Sequence, residues 1–281
     1  MQENTKLSVL MANFNRSNFI EEAIQSILNQ TYTNFELLIL DDYSTDNSVV
    51  IIEKFKDERI HLYKNTENKG AGFCKAFLAK NATGFVSAFF DSDDVLDKTA
   101  LEKMMKLHIE NPTKTIIYSN HFVCDENLKI IKKGSSRKIP KGENHLTYFG
   151  ISHFVSYKTQ KYFETEGIDD KLTKAVDQDL YYKLEETGES LFLDDCLYYY
   201  RHNSNSISLN KNATFAFENK LHVMQNAIER RKNSNVKYPS NLYMKWLKMK
   251  YIDNKKMHQI PIFVSINYLL YLIKIKFKNL V

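Results

Sequence analysis

Two acidic clusters constrain this chain more than any other feature. Asp41-Asp42 follows the strand-like run Phe35-Glu-Leu-Leu-Ile-Leu40, and Asp91-Ser-Asp-Asp94 follows Phe85-Val-Ser-Ala-Phe-Phe90. If the two runs are neighbouring parallel strands, their carboxylates converge on the crevice outside the carboxyl ends of the sheet, where open α/β sheets bind ligands. Like charges gathered there repel, so the arrangement is costly unless a cation or a hydrogen-bonding ligand compensates it.

The patterning between the clusters agrees with such a sheet. From residue 7 to about 125, apolar runs alternate with helical patterns, the signature of repeated βα units. Strands are read at 7–13, 35–41, 60–64, 85–90 and 115–119. Ile20, Ala23, Ile24, Ile27 and Leu28 have helical spacing within Asn18–Gln30, with Asn18 and Glu21 placed as a cap and its acid. Ser44-Thr-Asp46 opens a second helix through Phe55, Gly70–Lys80 is a third, and Asp97–Glu110 a fourth that stops at Asn111-Pro112. A loop over Lys132–Asn144 separates a first half, about 1–131, from a second, 145–211. In the second half, 151–157 reads as a strand, Thr159 starts a helix, 177–184 is helical, and 191–194 and 197–200 are strand-like. Residues 212–281 read as a helical, basic region, with helices at 215–231 and 241–251.

Composition narrows the setting. With 43% apolar and 13% aromatic residues, 281 residues hold ample material for a core. Cys74, Cys124 and Cys196 are odd in number and without CxxC spacing, which fits a reducing cytosol better than a disulfide framework or a zinc site. The first residues lack a signal-peptide pattern, and the apolar stretch Ile260–Ile273 is interrupted by Ser265 and Asn267 and is shorter than the ~18 residues a membrane span needs. The net charge of +5 is unevenly placed, because residues 237–281 carry nine lysines against one acid, Asp253. Interleaved Ile260, Phe263, Leu269, Leu270, Tyr271, Ile273 and Phe277 favour a membrane surface over nucleic acid as the partner of that region, and a packed helix pair with solvated lysines is the alternative.

Carboxylate oxygens in an Asp-x-Asp after a strand suit Mg²⁺ or Mn²⁺, which keep positions open for phosphate oxygens. A metal-bound diphosphate is a good leaving group, since the ion offsets the developing charge without proton transfer. Taken alone, Asp91, Asp93 and Asp94 fit a cap of the helix beginning near Leu96 better than a metal site. The chain also holds Val9-Leu-Met-Ala-Asn-Phe-Asn15, Gln30-Thr-Tyr-Thr-Asn-Phe-Glu36, Asp41-Asp-Tyr-Ser-Thr-Asp-Asn-Ser48, Asn68-Lys-Gly70 and Ala82-Thr-Gly84 ahead of Asp91-Ser-Asp-Asp94. In that order and spacing, over residues 6 to 210, the set resembles the family 2 inverting glycosyltransferases of GT-A fold.

The resemblance implies a nucleotide-diphospho-sugar donor, a divalent cation, Mn²⁺ or Mg²⁺, and transfer with inversion. By position, Phe14 resembles the aromatic that stacks on the base and Asp42 the carboxylate that accepts from it, with Asp41 capping or orienting. Lys75 occupies the place of an arginine and would meet the diphosphate as a point charge; a solvated helix lysine is its other reading. Asp91 resembles the ribose contact and Asp93 the metal ligand, with Asp94 a second candidate. Tyr43 replaces a glycine, so its turn must tolerate a side chain or adopt φ < 0. Val176-Asp177-Gln178-Asp179-Leu180 resembles the segment supplying the catalytic base, which would be Asp177, with Asp179 in reserve and Val176 in place of a glutamate. Tyr200-Arg-His-Asn-Ser is similar to an element that completes the metal shell, one residue short. His202 fits one register as ligand and Asn203 the other, while Arg201 would hold diphosphate.

The expected fold is therefore α/β, a GT-A-type, Rossmann-like, mostly parallel sheet flanked by helices over 1–211, with a helical appendage over 212–281. The resemblance makes residues 1–131 a nucleotide-sugar half and 145–211 an acceptor half. The expected activity is transfer from a UDP-sugar to a glycan or lipid-linked glycan, at the inner, cytoplasmic face of a bacterial membrane. Two rivals stand beside it, a nucleotidyltransferase and a non-catalytic nucleotide-sugar or glycan-binding module. Gly70-Ala-Gly72 lacks the third glycine and acid of a dinucleotide site, and GxxxxGK[ST] is absent. His121, His145, His153 and Tyr198–Tyr200 have no metal or nucleophile spacing and default to core or surface.

Overall fold

A computed structural model describes residues 5–202 and 213–232. In chain order its elements are β1 (Leu7–Asn13), α1 (Ile20–Leu28), β2 (Phe35–Asp41), α2 (Ser48–Ile52), β3 (Ile60–Lys64), α3 (Gly70–Asn81), β4 (Val86–Phe89), β5 (Val95–Leu96), α4 (Ala100–Glu110), β6 (Lys114–Cys124), β7 (Ile130–Lys133), α5 (His145–Tyr148), β8 (Val155–Lys158), α6 (Thr159–Phe163), α7 (Val176–Glu185), β9 (Glu189–Arg201) and α8 (Ala213–Lys232). The described residues belong to one compact unit that runs through Val236, so α8, which packs on α7, is part of it. The expected helix at 241–251 and the basic, apolar segment lie outside the described residues. Among the described residues no helix is long and apolar enough to cross a membrane.

One sheet runs in the order β3-β2-β1-β4-β8-β6-β9-β5, with β7 paired to β6. It is parallel through β3-β2-β1-β4. Beyond that it is mixed: β8 lies antiparallel to β4 and β6, while β6 and β9 are parallel. The segments 191–194 and 197–200 are thus one long strand, irregular in register against β6. Strands β1 and β2 are buried almost throughout, which is why they read as continuous apolar runs rather than alternating ones. Their core is shared with Ile20, Ala23, Ile24 and Ile27 of α1 and Leu101, Met104 and Met105 of α4.

Two helix starts differ from the sequence expectation for one physical reason. Ser44, Thr45 and Asp46 do not open α2, because the loop after β1 consumes them. Asn15 donates its N–H to Ser44 Oγ at 2.9 Å and accepts from the Thr45 N–H at 2.8 Å, and Ser17 N–H donates to Asp46 at 2.9 Å. Similarly, α1 begins after Phe19 without the Asn18 side-chain cap, and the Phe19 and Ile20 N–H groups donate to Arg16 O instead.

The Ala82-Thr-Gly84 motif has a structural task. Glu36 is buried on β2, and its carboxylate accepts from Ser8 Oγ at 2.5 Å, Lys6 Nζ at 2.9 Å and Thr83 N–H at 2.8 Å. A side chain at Gly84 would meet Ser8 N at 2.7 Å and Lys6 O at 2.8 Å, so only glycine permits this approach of backbone to β1. Burial opposes the Glu36 charge, but the bonds from Ser8, Thr83 and Lys6 outweigh it and hold the carboxyl below the usual range. Its stabilisation is therefore present above the ordinary carboxylate pKa and lost as pH falls through the lower folded value. Glu36→Ala should lower unfolding stability by about 2–4 kcal/mol in urea titrations at neutral pH, and the deficit should shrink in acid.

Candidate active site

The crevice lies where β2 and β4 flank β1 at their carboxyl ends. Asn13, the last residue of β1, stands in register with Asp41 and donates Nδ2 to its Oδ1 at 2.7 Å. Asp41 also accepts from the Ser44 N–H and hydroxyl at 2.9 and 2.6 Å. It thereby orients the turn at Tyr43, whose positive φ of 67° carries an exposed side chain where glycine is usual. Asp42 faces the start of α3 instead. It accepts from the Lys69 and Gly70 N–H groups, both at 2.8 Å, and from Asn65 Nδ2 at 2.8 Å, which places its charge at the positive end of that helix. Phe14 stands exposed at the rim.

The second acidic turn divides its carboxylates. Asp94 is buried and turned inward, accepting from Tyr198 Oη and from the Arg201 N–H, both at 2.6 Å. Asp93 accepts from Arg16 Nε at 3.0 Å. Burial and the charge of Asp91 raise the Asp93 pKa, partly offset by Arg16; burial together with Asp91 and Asp93 raises that of Asp94 well above the carboxylate range. Asp91 is the open member, its side chain 42% exposed.

Lys75 joins this turn to α7 of the second half. Its Nζ lies 2.6 Å from Asp177 Oδ1, 3.8 Å from Asp91 Oδ1 and 5.2 Å from the centre of the Phe89 ring. The meeting depends on a close approach at Gly72, where a Cβ would lie 2.2 Å from Leu172 O and 3.0 Å from Asp169 O. Burial works against the Lys75 charge, yet Asp177 and Asp91 prevail and raise its pKa above the usual value. Asp177 stands in the first turn of α7, after Ala175 with φ of 58°. Beside the cluster, the His153 ring stacks on Tyr198 and Tyr200, with centroids 5.1 and 4.8 Å apart.

A family model for "Glycosyl transferase family 2" matches residues 8–163, more than half of the chain. The chain belongs to glycosyl transferase family 2. A chondroitin synthase of Pasteurella multocida (strain Pm70) is 26% identical over 234 residues, 83% of this chain and 24% of that protein. An Escherichia coli protein named UDP-Glc:alpha-D-GlcNAc-diphosphoundecaprenol beta-1,3-glucosyltransferase WfgD is 35% identical over 133 residues, 47% of this chain and 52% of that protein. The chain thus spans between about a quarter and a half of the length of these curated relatives. The fold matches S. aureus TarS 1-349 in complex with UDP at a TM-score of 0.68 and 20% identity, over 83% of this chain and 67% of that one. The mannosyltransferase PcManGT from Pyrobaculum calidifontis, in complex with GDP-Man and Mn2+, matches at 0.60 and 14% identity, over 89% and 70%.

Within this family 2 domain the expected site residues separate into two groups. Lys75, Asp91 and Asp177 converge, and Asp93 adjoins Asp91. Four expectations change. Asp94 is buried, with one oxygen accepting from Tyr198 and the other from the Arg201 N–H, so it is turned away from the crevice where a metal would sit. Arg201 is not aimed at a diphosphate: its guanidinium donates to Asp93 O at 2.8 Å, Glu22 at 2.7 Å and Glu126 O, and lies over the Phe19 ring. Asp179 is buried against Lys183 at 2.7 Å and lines a cavity of about 420 Å³ that includes neither Asp91 nor Asp177. His202 is exposed, its N–H bonded to Cys124 O, and Asp93, Asp94 and His202 form no metal-holding group; no such group of three occurs among the described residues. Asn203 lies outside them.

Arg16 and Tyr198 escaped the sequence reading. Arg16 directly follows the Val9–Asn15 motif, which is the signal that could have found it. Tyr198 stood in an apolar run with nothing to mark its hydroxyl. Asp94→Ala should lower stability by about 1–3 kcal/mol, since the Arg201 N–H and Tyr198 hydroxyl lose their acceptor. Asp93→Asn should stay within about 1 kcal/mol of the parent or exceed it, because it removes a charge opposed by its surroundings; thermal melts of both variants compare them directly.

Proposed function

We propose that the chain is an inverting glycosyltransferase that moves a sugar from a nucleotide-diphospho-sugar, a UDP-sugar, to a hydroxyl of a glycan or lipid-linked glycan. The observation that carries this reading is the convergence of Asp91 and Asp177, from opposite halves of the chain, on one ammonium at the carboxyl ends of the parallel strands. The UDP complexes of TarS and the names of the chondroitin synthases and the glucosyltransferase support the donor and acceptor classes.

Phe14 stacks on the base at the rim, Asp42 accepts from the base N–H while it also fixes the start of α3, and Asp91 reaches the ribose. An acceptor hydroxyl attacks the anomeric carbon on the face opposite the diphosphate. Its proton passes to a carboxylate oxygen of Asp177 as the new carbon–oxygen bond forms and the bond to the diphosphate breaks. Attack from the far face inverts the configuration. The residues fit a divalent cation, because Asp93 and Asp91 are neighbouring hard carboxylates in one turn and Asp91 is open to the crevice. Asp93 would hold it with Asp91 alongside, a sparse ligand set of the kind Mg²⁺ and Mn²⁺ complete with phosphate oxygens and water. An ion held there would supply positive charge opposite the departing diphosphate.

Incubation with nucleotide sugars and Mn²⁺ should release UDP, and a chelator should suppress the release. Asp177→Asn should lower transfer by about 10²–10⁴-fold while UDP still binds; full turnover by this variant would remove Asp177 from the role. Release of pyrophosphate instead of UDP would select the nucleotidyltransferase reading.

A further inference from the structure

Lys75 and Asp177 are unequal partners. The Lys75 side chain is 11% exposed, whereas those of Asp177 and Asp91 are 43% and 42% exposed. Water can therefore solvate either carboxylate, but the ammonium needs an anion within reach, since a buried charge without a partner is strongly disfavoured. Its flexible four-carbon stem presents three donors that can be re-aimed. The loop at 169–172, against which Gly72 of α3 packs, holds the root of the lysine between the two acidic elements.

We propose that Lys75 couples donor binding to the freeing of the base: a nucleoside diphosphate competes with Asp177 for the one ammonium, so that gripping the phosphates and exposing the Asp177 oxygen are a single event. The inference rests on the donor site and base assigned above. The exposure difference gives the coupling its direction. Lys75 leaves Asp177 only where other anions replace it; Asp91, at 3.8 Å, is one, and a diphosphate beside Asp91 supplies the closer contact. Asp177, released, keeps its charge in contact with solvent and can accept the acceptor's hydroxyl proton. The base is thus engaged by its own neighbour until the leaving group is in place.

Coupling of this kind is reciprocal. If diphosphate draws Lys75 from Asp177, then removing the Asp177 charge must strengthen diphosphate binding, and must do so only while the ammonium is present. UDP binding in Mn²⁺ buffer is measured by calorimetry on the full chain, Asp177→Asn, Lys75→Met and the double variant. Asp177→Asn should bind UDP about fivefold or more tighter than the parent, and the double variant should match Lys75→Met. Lys75→Gln supplies a second neutral variant should the methionine fail to fold, and Lys75→Arg, which keeps the charge, should keep the tightening. Equal tightening with and without the ammonium would mean simple repulsion between Asp177 and phosphate, and would overturn the coupling while leaving the donor site intact. No change on Asp177→Asn would overturn it as well. Failure of all the proteins to bind UDP would remove the donor site itself, and the coupling with it.

Discussion

Repulsion among carboxylates at one edge of a parallel sheet is the constraint around which this molecule is built. Each acid meets it differently. Asp41 is quenched by Asn13 and Ser44, Asp42 by the first N–H groups of α3, and Asp94 by a tyrosine hydroxyl and a strand N–H. Asp93 relies on Arg16, while Asp91 and Asp177 divide Lys75. The acids satisfied by neutral donors are buried. Those that depend on cations remain partly open to the crevice, which is where a charged ligand can exchange with a protein partner.

The family 2 motifs accordingly have two kinds of task. Gln30 bonds Asp97 O and the Leu101 N–H, closing α1 against the start of α4, and the glutamate at 36 with Thr83 and Gly84 locks β2 to β1. Motif residues of this kind fix the strand ends in register. A second kind, Asp91 and Lys75, faces the space those strand ends enclose.

Much of this was legible in the sequence. Strands β1 and β2 fall where apolar runs and turn residues place them, because buried parallel strands advertise themselves by composition, and the half-exposed β3 falls at its expected residues as well. What escaped were bonds between distant side chains. The start of α2 depends on Asn15, thirty residues from Thr45, and the inward turn of Asp94 depends on Tyr198, more than a hundred residues away. No local spacing encodes such partners. Even the meeting of Lys75 and Asp177 was visible only as two separate motif positions, since a Gly72 approach to the backbone at Leu172 decides it. The parallel sheet of the first half also gave no sign that β8 would join it antiparallel and leave β9 beside β6.

The inward-facing Asp94 has a consequence for how the polypeptide matures. Its acceptor oxygens wait for Tyr198 and for the main chain at residue 201, and the Arg201 side chain then reaches back to Glu22 on the first helix. A ribosome must deliver both halves before the acidic turn can close. Contacts of such sequence separation slow the search for the native state, and they tie the first and second halves into one compact unit rather than two modules that evolution could trade apart.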